Sequence, residues 1–325
     1  MSAAATQDPE LPRAGQNTIT DELEKQFNDW DDLHMGPRAH LRAERERLKT
    51  LRWEHLEVQP LGSTLGAEIS GVDLRAPIPA PVFAEIEQAL WNYKVIFFRD
   101  QPLDASEQLA FARQFGDLEI HPIIPPNSDF PELARFEKSE EMGGYENIWH
   151  HDVTWRETPS KLAILRAVEV PATGGDTLFA DMVAAYAGLD DEWKKRIADI
   201  SVVHDYMRAF GAAVPQEQKA AARQRFPEVT HPAVGTHEQT GQRYLYVNRA
   251  FVERIDGKTR EESLAIIQHL ARQAETPEYQ CRFHWTKDAI AIWDNRAVQH
   301  YAASDYWPDS RVMERASVIG NRPVA

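Results

Sequence analysis

The chain has 325 residues, 42% of them hydrophobic, which is enough to bury a large core and excludes general disorder. Acidic residues outnumber basic ones by 51 to 36, a formal net charge of −15, so the long-range field repels phosphate backbones and anionic membrane surfaces. Neither nucleic acid nor a membrane is expected as a partner, and the single cysteine, Cys281, excludes an internal disulfide.

The first thirty residues carry acids and prolines where a secretory signal needs an apolar run, so a cytoplasmic protein is expected. Residues 1–18 mix Ala, Pro, Gly and polar residues without periodicity and read as a tail. From 21 to 52 the chain is dense in charge with helical spacing ("RAHLRAERERLKTLR"), which predicts a solvated helical arm, and a subunit contact in a homo-oligomer would find room there. The regular domain is placed at 56–325, after a tail and arm at 1–55.

Within the domain, "EVQPLG" and "AEISGV" are short β-type runs, "APVFAEIEQALWNY" has helical periodicity, and "KVIFFRD" reads as a strand. Its "VIFF" is strand-sized, far short of the roughly 20 residues of a membrane helix. "DASEQLAFARQFG" opens with Asp104 and Glu107 in capping-box spacing and closes on Gly116, a further helix. Beyond it, strand-length segments recur at "LARFEK", "WHHDVTW", "LAILRAVEV", "DTLFADM", "RYLYVN", "CRFHW", "AIAIWD", "VQHYA" and "RASVIG". Helical stretches at 182–199 and 259–275 interrupt them. No internal repeat and no regular strand–helix alternation is present, so the expectation is a mainly β fold with decorating helices, a jelly roll or related barrel.

"NIWHHDVTWRETP" sets two histidines and an aspartate side by side. In an extended strand His150 and Asp152 share one face, while Trp149, His151, Val153 and Trp155 share the other. An imidazole and a carboxylate two residues apart can take adjacent positions on a metal, although a lone H-x-D is weak evidence. Near the C-terminus, "IWDNRAVQHYAASDYWPDSRVMERASVIG" supplies His300, then Arg311 and Arg315. His300 would complete a two-histidine, one-carboxylate set that leaves three positions open on Fe(II), two for a bidentate 2-oxo acid and one for O2. Arg311 suits a fork-like grip on a distal carboxylate.

With these motifs in order, the chain resembles the taurine dioxygenase and 2,4-dichlorophenoxyacetate dioxygenase family of Fe(II)/2-oxoglutarate-dependent oxygenases. The resemblance runs from about Val58 to Arg322 through "FFRDQPLDASEQLAFARQFGDLEIHP", "WHHDVTW", "ETPSKLAILRAVEVPATGGDTLFADM" and the C-terminal run quoted above. It implies a double-stranded β-helix (jelly roll) core with Fe(II) on His150, Asp152 and His300. It also implies that Thr177 and Arg311 hold the distal carboxylate of the cosubstrate 2-oxoglutarate, and that Arg315 and His121 meet an anionic group on the substrate. Phe210 and Phe251 match the family's apolar pocket positions, and Val153 is expected with them among the substrate contacts despite strand alternation. The implied reaction consumes O2 and 2-oxoglutarate, releases succinate and CO2, and hydroxylates a small anionic organic substrate.

The chain departs from the taurine-oxidising members it resembles at two places. Those enzymes carry a tyrosine three residues after the histidine matching His121, where this chain has Ile124, and an Asp/Asn pair for the ammonium of taurine, where it has Tyr145, Glu146 and Asn147. An apolar end replaces a polar one, which favours an alkyl sulfate ester or organosulfonate. Glu146 is the residue that would receive an ammonium. Taurine itself and an aryloxyalkanoate are the alternatives, and a zinc hydrolase or metal-binding regulator on the same three ligands is the reading from another class. Asp152 argues against an iron halogenase, since its carboxylate takes the halide position. His151, His204, His231 and His284 read as structural, and "TGGDT" lacks the following Lys of a nucleotide loop.

Overall fold

A computed structural model describes residues 36–125 and 129–325 of the chain. The tail and the first part of the arm lie outside the described residues. The arm's helix α1 (Leu41–Leu48) is solvated on most sides but buries Leu48 in a core cluster with Leu56 and Tyr93.

Strands β1 (Glu57–Pro60) and β2 (Ala67–Ser70) lead to helix α2 (Ala80–Tyr93), β3 (Val95–Phe98) and α3 (Ala105–Ala112). The capping box at α3 forms as the spacing requires, Asp104 accepting from the Glu107 N–H and Glu107 from that of Asp104. Next come β4 (Leu133–Lys138), β5 (Leu162–Glu169) and β6 (Thr177–Asp181). The stretch expected as one helix at 182–199 is two, α4 (Met182–Ala187) and α5 (Asp191–Ile197), because Asp190 caps a new start after Gly188. Strand β7 (Ser201–His204), helices α6 (Tyr206–Phe210) and α7 (Lys219–Arg225), and strands β8 (Val229–Pro232), β9 (Val234–Thr236), β10 (Arg243–Leu245) and β11 (Val252–Ile255) follow. Helix α8 (Arg260–Arg272) precedes β12 (Gln280–Phe283), β13 (Ile290–Asp294), β14 (Val298–Ala302) and β15 (Arg311–Val318). The last strand starts four residues before the expected "RASVIG", since its charged residues hid a run that is buried throughout.

The main sheet has the order β1-β2-β3-β13-β5-β15-β4, and β12-β6-β14 forms a second sheet facing it. Only the β2–β3 pair of the main sheet is parallel. Between the sheets Phe97 stacks on Phe283 at 4.0 Å and Phe179 meets Trp293, in one cluster with Leu165 and Met313. On the outer face of the main sheet Ile96, Phe98, Ile164 and Ile292 pack against α2 and α3. Covering both faces explains the unbroken apolar runs "VIFF" and "IAIW", which show no alternation. Two packed sheets with helices outside make the jelly roll that the many short strands and the resemblance imply. Among the described residues no helix is long and apolar enough to cross a membrane.

Candidate active site

The site lies between the two sheets. His300 is central on β14, opposite Phe179 of β6, and its ring sits 4.8 Å from Trp293. A single antiparallel bridge joins it to His150, with backbone hydrogen bonds of 3.1 and 2.9 Å running in both directions. The two imidazole centroids are 4.2 Å apart. His150 Nδ1 donates to the Ile148 carbonyl at 2.7 Å, which leaves the Nε2 lone pair free to face a metal. Asp152 Oδ1 lies 4.0 Å from His150 Nε2, and Oδ2 lies 3.8 Å from His300 Nε2. One ligand atom from each of the three falls within 4.8 Å of the others, the spacing of donors around one ion, and Asp152 Oδ2 is buried without a partner among the described residues.

The route to this convergence differs from the strand expected for "WHHDVTW". After the bridge at His150 the chain turns at 152–155, and Val153 adopts a positive φ of 48°. Alternation therefore stops at His150, and Val153 and Trp155, expected on the far face, line the same cleft as Asp152. His151 does point away, fully buried with its ring 4.7 Å from Tyr246. What fixes Asp152 is a residue the sequence reading missed. Asn295 Oδ1 accepts from the Asp152 N–H at 2.7 Å, and its Nδ2 donates to the Asp152 and Ser160 carbonyls. His204 pairs with Thr154 Oγ1, and His231 faces the Thr154 and Arg156 carbonyls, so both brace this turn. His284 pairs with Asp176 away from the cleft.

The cationic side of the cleft comes from β15, where Arg311, Met313 and Arg315 face inward. Arg311 is buried, and its Nε and Nη2 have no hydrogen-bond partner among the described residues. Leaving a guanidinium so exposed to desolvation is costly unless an anion arrives, and burial indeed lowers its pKa. Thr177, at the head of β6, lines the same cleft and accepts from Trp285 Nε1 at 2.9 Å. Arg315 Nη1 donates to Asp152 Oδ1 at 2.8 Å, and its Nε is unpartnered among the described residues.

His121 Nδ1 accepts from the Ile124 N–H at 3.0 Å, so the ring proton sits on Nε2. Burial, then the Arg315 charge, pushes this imidazole down to about 3, and it stays neutral as a donor. Ile124, Phe210 and Phe251 add apolar wall. Glu146 lines the cleft too, but Lys138 Nζ holds its carboxylate at 2.8 Å. The cleft has a cavity volume of about 160 Å³, and every residue singled out for metal, cosubstrate or substrate lines it. Lys138 was missed, although alternation along "LARFEK" would have set it on the face of Phe136.

The family profile described as taurine catabolism dioxygenase TauD, TfdA family matches residues 57–317. The chain belongs to that family. As a TauD/TfdA member it is a 2-oxoglutarate-dependent dioxygenase, which sets the oxygenase reading above the hydrolase one. It is 35% identical over 277 residues to an alpha-ketoglutarate-dependent sulfate ester dioxygenase of Pseudomonas putida, covering 83% of this chain and 91% of that protein. A taurine dioxygenase structure from Burkholderia xenovorans is 32% identical with a TM-score of 0.73, covering 84% of this chain and 92% of the other. The structure of AAD-2 with Mn(II) and N-oxalylglycine is 30% identical, again with a TM-score of 0.73, covering 84% of this chain and all (100%) of that one.

Proposed function

We propose that this TauD/TfdA enzyme oxidises an alkyl sulfate ester or organosulfonate whose anionic head is carried on an apolar body. In this reading His150, Asp152 and His300 hold Fe(II), Arg311 and Thr177 hold the distal carboxylate of 2-oxoglutarate, and residues 56–325 form the catalytic domain. The donor set of two imidazoles and one carboxylate suits Fe(II), and the unpartnered guanidinium of Arg311 suits a dicarboxylate. The lone cysteine, reduced and buried, fits a cytoplasmic enzyme.

When bound, the iron with 2-oxoglutarate and O2 supplies the oxidising power for hydroxylation, with succinate and CO2 as by-products. The protein's own residues orient and exclude. Arg315 Nε and His121 Nε2 are the donors left for a sulfate or sulfonate oxygen, while Phe210, Phe251 and Val153 keep the carbon chain away from water. Where the hydroxylated carbon bears a sulfate ester or sulfonate, the product collapses to an aldehyde and releases sulfate or sulfite.

The observation that carries the substrate choice is the apolar end of the cleft at Ile124. A second groove shares His121, Ile123 and Ile124 with the cleft and runs on past Tyr206, Val214 and Phe226, which gives a longer alkyl tail somewhere to lie. Glu146, the residue best placed to take an ammonium, is neutralised by Lys138. The sulfate ester dioxygenase relative supports the same class. A panel of medium-chain alkyl sulfates, alkanesulfonates, taurine and an aryloxyacetate, scored by substrate-dependent succinate release, tests the proposal. A sulfate or sulfonate with an alkyl tail should give the highest kcat/KM, and taurine in first place would overturn it.

A further inference from the structure

Strands β4 and β15 pair antiparallel, and the register sets Lys138 directly opposite Arg311. Alternation sends Phe136 and Lys138 of β4 into the cleft with Arg311, Met313 and Arg315 of β15. Arg135, Glu137 and Glu314 turn to the other side, where Arg135 pairs with both acids. Lys138 is thus a buried ammonium, only 6% exposed, across from a buried guanidinium.

Like charges directly opposite each other on a sheet are destabilising. The arrangement persists when negative charge lies between them. Glu146 supplies one such charge, with Oε1 2.8 Å from Lys138 Nζ, and the Tyr145 ring stands 4.0 Å from the same ammonium. That carboxylate does not satisfy the site: Arg311 Nε and Nη2 remain without partners among the described residues. Two cations and one carboxylate leave room for one further negative group.

We propose that Lys138 is a second cosubstrate-binding cation, meeting the distal carboxylate of 2-oxoglutarate together with Arg311. Glu146 is then the carboxylate that holds Lys138 while the cosubstrate is away. The inference rests on the reading that Arg311 receives this carboxylate. It assigns Lys138 to the cosubstrate rather than to the prime substrate, because Arg311 lies four residues, about 13 Å of strand, from Arg315 at the ligand end.

The test is calorimetric titration of the Mn(II)-loaded full chain with two ligands. N-oxalylglycine keeps the metal-chelating end and the distal carboxylate, whereas oxamate keeps only the chelating end. Lys138→Met should weaken N-oxalylglycine by roughly 10- to 100-fold, the range for one lost charge-assisted hydrogen bond. Oxamate should bind as it does to the unaltered protein. Lys138→Arg should stay within a few-fold, and Glu146→Gln should tighten N-oxalylglycine by freeing the ammonium. Unchanged N-oxalylglycine affinity in Lys138→Met, or an equal loss for oxamate, overturns the assignment, as does a KM rise confined to the prime substrate. Arg311→Met separates the two levels. If it weakens N-oxalylglycine while Lys138→Met does not, the Lys138 assignment alone fails, and if neither variant does, the reading of Arg311 fails with it.

Discussion

Arg315 and Asp152 form a buried ion pair, with Nη1 2.8 Å from Oδ1, inside the cluster of three candidate metal ligands. Burial alone would raise the Asp152 carboxyl, but the Arg315 charge foremost holds it well below the usual carboxylate range. The carboxylate is therefore ionised and oriented before any cation arrives. Removing one partner of a buried pair typically costs about 3–5 kcal/mol. Arg315→Ala should lower the urea-unfolding free energy of the metal-free protein by that order. Saturating Mn(II) should recover more of it than it adds to the unaltered protein, since the ion then meets Asp152 alone. Equal stabilisation of both proteins by Mn(II) would speak against this coupling.

The metal set makes a sharper contrast among neighbouring residues. His150→Ala, Asp152→Ala and His300→Ala should each lose Fe(II) in equilibrium dialysis, while His151→Leu, at a fully buried ring facing Tyr246, should retain it. Retention of Fe(II) by His150→Ala with loss in His151→Leu would reverse the assignment.

The capping box at Asp104, the helix over 80–93 and the strand at "VQHYA" depend on local pattern, and the structure has them where the pattern puts them. His150 and Asp152 do converge, although the strand argument that paired them does not hold. Their meeting depends on a turn at Val153 and on Asn295, a residue 143 positions away in sequence. The start of β15 was obscured by Arg311 and Arg315, charges that the cleft explains, and by Glu314, which pairs with Arg135 and Arg166 on the other face. Lys138 was hidden because a lysine at a strand end usually faces water.

Asn295 positions the carboxylate through the Asp152 backbone. Outer partners of metal ligands typically matter by 10- to 100-fold in metal affinity. Asn295→Ala should raise the Kd for Fe(II) by roughly that factor, with the KM for 2-oxoglutarate at saturating iron changing far less. A loss confined to 2-oxoglutarate would show that Asn295 acts elsewhere.

Arg311→Lys keeps the charge and removes the planar two-donor fork, so the KM for 2-oxoglutarate should rise far more than that for the prime substrate. Thr177→Val should do the same more mildly, since the hydroxyl is one contact and its Trp285 partner remains. Steady-state kinetics with each substrate varied in turn separates the two effects.

His204 and His231 are buried, and burial first of all lowers both imidazoles below their ordinary value. The folded protein keeps them neutral where the unfolded chain takes up a proton, so their contribution is complete above about pH 6.5 and is lost as pH falls below it. Replacing His204 by Gln should reduce the fall in unfolding free energy between about pH 6.5 and pH 5.5 by up to ~1 kcal/mol. Urea titrations of both proteins at the two pH values give the difference directly, and an equal fall in the two would contradict the assignment.

One cleft is proposed to hold both the metal, on His150, Asp152 and His300, and the cosubstrate's distal carboxylate, on Arg311. A crystal structure of the full chain with Mn(II) and N-oxalylglycine tests both halves at once. The ion should be bonded to His150 Nε2, His300 Nε2 and an Asp152 oxygen, with the distal carboxylate within hydrogen-bond distance of the Arg311 guanidinium. An ion bound at other residues, or a distal carboxylate turned away from Arg311, would contradict it.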